Sequence, residues 1–140
     1  MVAWGSLSTW RRGSRETLVL ATTECSFSGE PRVTIAPDVP PADLAPVRAH
    51  EGVHEAQCRA LGPWRYRWAN LSAAGRLSLE APAYCAGAAE RIRAGESPVR
   101  VERRLMDDAT EALRGVADSA AVVSALQAAC PAILRRAPES

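Results

Sequence analysis

Two histidines stand four residues apart with a carboxylate directly after the first, in the run V-R-A-H-E-G-V-H-E-A-Q-C that begins at Val47. They are His50 and His54, the chain's only histidines, and the carboxylate is Glu51. On a helix, residues i and i+4 lie one turn apart on the same face, so both imidazoles can reach one ion. Glu51 then points close enough to act on a water held at that ion. The pattern H-E-x-x-H therefore predicts metal-assisted hydrolysis, with His50 and His54 as ligands and Glu51 as general base. The plain alternative is a helix that carries two surface histidines.

Catalytic zinc usually takes three protein ligands and keeps a fourth position for water. With no histidine left, the third ligand must be a carboxylate. Glu80 fits best: it sits in S-L-E-A-P-A-Y-C among small and apolar residues, 26 positions after His54. Its plain reading is an acidic residue in the first turn of a helix, favourable to the helix dipole. Glu90 and Asp107 are the reserves, and Glu90, in A-E-R-I-R, looks more like a surface ion-pair partner.

With these residues in place the chain resembles the zincin metallopeptidases, and among them the compact gluzincins, whose third ligand is a downstream glutamate. The resemblance rests on His50 to His54, on the aromatic-containing stretch Trp64 to Trp68, and on Glu80-Ala81-Pro82-Ala83-Tyr84. It spans roughly residues 45 to 90. It implies a Zn2+ cofactor, a peptide or protein substrate, Glu51 as base, and a substrate-binding edge strand near the active helix. Two positions depart from the family pattern: Tyr84 stands where thermolysin-like members carry an Asp that orients a histidine, and the charged Glu55 follows the second histidine. No further histidine exists to steady a transition-state oxyanion, which leaves Tyr84 or Tyr66 as donors.

The elements that must position these groups follow from pattern. Residues 1–16 read as an N-terminal arm or edge segment, and 17–140 as a single zincin-like domain. T-L-V-L-A-T from Thr17 and R-V-T-I-A from Arg32 are rich in β-formers, and S-G-E-P between them signals a turn. A-P-D-V-P-P-A-D-L-A-P, with four prolines in eleven residues, predicts a rigid connection. A helix is expected from Pro46 to about Leu61, with Val47, His50, Glu51, His54, Cys58 and Leu61 on one otherwise apolar face. A short helix with Trp64, Trp68 and Leu71 as core anchors would follow, ended by Gly75. The next helix is expected from an N-cap at Ser78 to Gly95. Another opens at Ser97-Pro98 with Val101, Leu105, Ala109, Ala112, Leu113 and Val116 buried. The last begins at Asp118 or Ser119, with Pro131 kinking or dividing it. The fold class is α+β and mostly helical: a hairpin or small sheet packed on the active-site helix, followed by about four more helices.

Composition narrows the partners. The 17 basic residues, all Arg, against 16 acidic ones leave a net charge of +1, which offers no electrostatic case for nucleic acid. The clusters at Arg11, Arg12 and Arg15, at Arg100, Arg103 and Arg104, and at Arg135 and Arg136 read as solvated faces or helix ends. No run reaches the length of a membrane span, and the first residues lack the charged start and apolar run of a signal peptide. A cytoplasmic protein is expected if Met1 is the natural start, an extracytoplasmic one if a leader was removed and Cys25, Cys58, Cys85 and Cys130 pair. Four cysteines allow three pairings, and buried free thiols are the competing reading. Besides the peptidase, two readings stay open: an inactive zincin-like binding module with structural zinc, and a disulfide-linked helical interaction protein.

Overall fold

The computed structural model describes residues 5–12 and 16–130, with side chains from Leu20 onward. Three strands, β1 (Gly5–Arg12), β2 (Glu16–Cys25) and β3 (Pro31–Ile35), form an antiparallel sheet in the order β1-β2-β3. β1 is an edge strand within the segment expected to be an arm or edge. The predicted turn after β2 is made by Ser26 to Glu30, with Gly29 at φ 82°. Four helices follow: α1 (Pro41–Leu71), α2 (Ala73–Arg93), α3 (Pro98–Ala112) and α4 (Ser119–Ala129). The architecture is α+β and mostly helical, and a break in α1 makes five helical segments of four helices.

That break is at Gly62, whose φ of 76° and ψ of 168° are non-helical. A left-handed φ suits glycine because it lacks Cβ, so the expected end of the helix that carries His50 and His54 survives as a kink. The helix starts earlier than Pro46: Pro41 takes the first position, where its missing N–H costs nothing. Ser72, extended at φ −104° and ψ 150°, then ends α1 and caps α2, its hydroxyl accepting from the Gly75 N–H at 3.0 Å. Gly75 is thus inside the first turn of α2 rather than a terminator. A Cβ there would lie 2.2 Å from the Ala69 carbonyl oxygen, so this tight corner needs glycine.

The corner lays α2 back along α1. On the other side, the inward residues of β2 meet α1 in order: Leu20 and Ala21 pack with Val47, Thr23 bonds Glu51, and Cys25 is disulfide-bonded to Cys58. The alternation of a half-buried strand puts Ala21, Thr23 and Cys25 in this row, because every second side chain points to one face, and Leu20 joins it where the pairing with β1 shifts register. The main core lies beyond α2, where Ala81, Tyr84, Cys85 and Ala88 pack against Val101, Leu105, Ala109, Leu113, Val122 and Leu126. Of the expected stripe, Val101, Leu105, Ala109 and Leu113 are buried, while Ala112 and Val116 are half-buried against the same core. α4 begins after the Asp118 cap and ends at Ala129; the expected kink at Pro131 lies outside the described residues. Cys85 is bonded to Cys130, so both cysteine pairs are closed. Buried Arg91 joins the end of α2 to the start of α1 through Asp43 at 2.7 Å, and reaches Glu96 at 3.2 Å. Arg104, expected on a solvated face, lies 3.6 Å from the same Asp43 and 3.5 Å from Asp108. No helix among the described residues is long and apolar enough to cross a membrane.

Candidate metal centre

The apolar stripe on α1 forces its two histidines inward. Val47 and Cys58 anchor that face under β2, and the helical period carries His50, Glu51 and His54 into the same buried layer. α2 crosses them one layer deeper and contributes Glu80. All four residues are at most 2 % exposed. The plain reading of Glu80 does not hold, because α2 begins at Ala73 rather than near Ser78. Glu80 is the eighth helical residue, well past the first turn within which the dipole acts.

The geometry is nearly an equilateral triangle. His50 Nε2 and His54 Nε2 are 3.2 Å apart, and each lies 3.4 Å from the same Glu80 oxygen, Oε2. A four-coordinate ion with arms of about 2.0–2.1 Å requires ligand–ligand edges of about 3.3–3.4 Å. The three atoms therefore match one face of a tetrahedron, and the fourth apex falls outside the set. These are the three residues among the described ones that converge as a possible metal group. Two imidazoles exclude the oxygen-preferring calcium and magnesium and suit a first-row transition ion. The reserves do not join them: Glu90 pairs with Arg93, and Asp107 is exposed.

Two contacts that orient the site were not anticipated from sequence. Gln57 Nε2 donates to the Leu79 carbonyl at 2.9 Å, which turns its Oε1 toward His54 Nδ1, also at 2.9 Å. His54 Nδ1–H then donates to that oxygen, and Nε2 keeps its lone pair for the centre. Gln57 thus does for His54 what a carboxylate does in many zinc sites, fixing the tautomer and the ring. The signal was present, since Gln57 is three residues after His54 and so shares its face. The second contact has no such signal: Thr23, from β2, donates to Glu51 Oε2 at 2.5 Å. Of the two tyrosines, Tyr84 meets the His50 ring edge-on with centroids 4.7 Å apart. Tyr66 is buried with Cys25, Cys58 and Leu79.

Burial and proximity set the charge states. Burial alone would raise Glu80, but hydrogen bonds and charge from His50 and His54 outweigh it and hold the carboxyl well below the usual range. Burial lowers His50, only partly offset by Glu80. Burial also pulls His54 down, yet Glu80, Gln57 and Glu51 together raise it. Glu51 is pushed up to about 7 by burial, against the Thr23 hydrogen bond and the charge of His54. Its carboxyl can exchange a proton near neutral pH, the range in which a general base works best. Comparison with protein-family models, curated proteins and solved structures finds no match for this chain.

Proposed function

We propose that the chain is a zinc-dependent metallopeptidase of the compact gluzincin type. In this reading His50, His54 and Glu80 hold the ion and Glu51 is the general base. The observation that carries it is the convergence of two imidazoles and one carboxylate oxygen from two helices at 3.2–3.4 Å, with Glu51 beside them. Zinc bound there would supply Lewis acidity, acidifying water and polarising a carbonyl. The chain's own residues do the rest. Glu51 takes the proton of the attacking water and returns it to the leaving amine. Thr23 fixes one carboxylate oxygen, so the other is the proton-handling atom. Gln57 holds His54 in the ligating tautomer, and Tyr84 steadies the His50 ring. β3, an edge strand alongside α1, offers backbone groups on which an extended peptide could add as a strand. The two disulfides favour an oxidising compartment.

One observation favours a second reading, an inert site with structural metal: the residues that would do the chemistry are at most 2 % exposed, whereas a catalytic centre keeps an accessible position. Metal analysis and digestion of an unstructured peptide library, on wild type and Glu51→Gln, decide between them. The peptidase reading expects stoichiometric zinc in both proteins and cleavage in wild type alone, with a loss of about 100-fold or more in the variant. Zinc without cleavage in either protein supports the structural reading. Zinc-free protein whose stability ignores a chelator removes both.

A further inference from the structure

The second segment of α1, beyond the Gly62 kink, does not bury its two tryptophans as expected. Trp64 and Trp68 are 71 % and 77 % exposed, and Leu71, at i+7, is 58 % exposed. The neighbouring turn adds Phe27, 61 % exposed, with its ring centroid 5.8 Å from that of Trp64. The reason is local: the inward position of this segment is taken by Tyr66, which closes the cluster around the Cys25–Cys58 disulfide. The tryptophans, two residues to either side, are then turned outward. Arg67 lies between the aromatic groups, its guanidinium 4.0 Å from the Phe27 ring centre and 6.0 Å from that of Trp64. Trp64, Arg67, Trp68 and Leu71 border one open depression of about 360 Å³.

Charge on the helical side of this patch is one-sided. Between Glu55 and Glu80 the chain carries Arg59, Arg65, Arg67 and Arg76 and no acidic residue, with Arg59 paired to Glu55 at 3.8 Å. On the neighbouring turn, Glu24 and Glu30 each stand three residues from Phe27. Aromatic rings at one level, flanked by arginines, are what the boundary between water and lipid headgroups selects, because indole is apolar in body and polar at its N–H. Cationic side chains add attraction to anionic lipid. Four side chains exposed to this degree present on the order of 500 Å² of apolar surface, at the upper end for a monomer. A protein partner would have to match this surface in shape, whereas a bilayer needs no matching shape.

We infer that the Phe27, Trp64, Trp68 and Leu71 patch docks the protein on anionic lipid bilayers, with its arginines at the headgroups. The insertion is shallow and reversible, and it is independent of the proposed metal chemistry.

The test is co-sedimentation of the full chain with large unilamellar vesicles of phosphatidylcholine alone, or with about one-third phosphatidylglycerol. Wild type should pellet with the anionic vesicles, several-fold less with the neutral ones, and less as salt rises. Trp64→Ser/Trp68→Ser should lose at least about tenfold in partitioning. Arg59→Gln/Arg65→Gln should lose the preference for anionic lipid. Circular dichroism and intact disulfides confirm that these surface variants fold. No vesicle binding by wild type, or equal binding by the double tryptophan variant, overturns the inference. So does a concentration-dependent dimer that the tryptophan changes abolish, which would assign the patch to a second copy of the chain. Zinc removal should leave vesicle binding intact, so failure here and failure of the peptidase reading are separate results.

Discussion

Glu51→Gln has a consequence for stability as well as for turnover. The Glu51 carboxyl is buried beside Thr23, and burial lifts it from an ordinary 4.5 to about 7. The sign follows from comparing folded and unfolded chains. Below pH 4.5 both hold the proton, and no free energy depends on the shift. Between 4.5 and 7 the unfolded chain releases its proton while the folded one keeps it, so the folded state weakens steadily as pH rises. Above 7 both are ionised, and the full cost of the buried charge is present. Raising the carboxyl from 4.5 to about 7, at about 1.4 kcal/mol for each pH unit, gives about 3.5 kcal/mol. Glutamine keeps an oxygen for the Thr23 hydroxyl and cannot ionise, so the variant lacks this dependence. Denaturant titrations on metal-free protein, disulfides intact, at half-unit steps from pH 4 to 8 measure the difference. The variant should gain about 3.5 kcal/mol on wild type across the window, nearly all between pH 4.5 and 7.5. Chelator is essential, because a bound dication beside Glu51 would favour its ionised form. Parallel stability curves would refute the reasoning, by showing that Glu51 ionises in the folded chain as it does in water.

Other changes test the remaining parts of the centre. Glu80→Ala should weaken zinc binding far more than Glu90→Ala, measured by competition with a chromogenic chelator, because Glu90 only pairs with Arg93 on the surface; the opposite ranking would remove Glu80 from the ligand set. Gln57→Leu should lower zinc affinity about 10- to 100-fold by freeing the His54 ring, with little change in fold by circular dichroism. Zinc release should be complete in mild acid as His50 and His54 protonate, since only neutral imidazole binds, and equilibrium dialysis across pH 4 to 7 follows it. Cys85→Ala/Cys130→Ala should cost about 4 kcal/mol from the closed span of 45 residues, read as a fall in denaturation midpoint. That bond ties α2 to the end of α4 and supplies no ligand, so zinc affinity in the folded variant should be unchanged.

Much of the centre was legible in the chain because its parts are local or chemically forced. H-E-x-x-H needs only helical spacing, and the apolar neighbours at Val47 and Cys58 already say which way that face points. Glu80 followed by elimination, since the chain holds no third histidine and few carboxylates in apolar company. The α3 stripe and the Asp118 cap were equally readable from period and capping chemistry. The helix-to-helix corner was not. Gly75 has the composition of a terminator but acts as the close contact that folds α2 back on α1, and only the position of the Ala69 carbonyl reveals this. Shifting the start of α2 to Ala73 is what takes Glu80 out of the first turn.

What the sequence determined by itself was the set of groups able to share an ion and the helix that presents two of them, because i and i+4 need no knowledge of the rest of the fold. What only tertiary structure decided was which distant residues complete the environment. Thr23 reaches Glu51 from 28 positions away, and Cys25 meets Cys58 across 33. Leu79 anchors Gln57 from across the α1–α2 contact. The outward turn of Trp64 and Trp68 belongs to the same class. A stripe of large apolar residues at helical spacing shows that a face exists, but whether it turns inward depends on what already fills the interior, and here Tyr66 fills it.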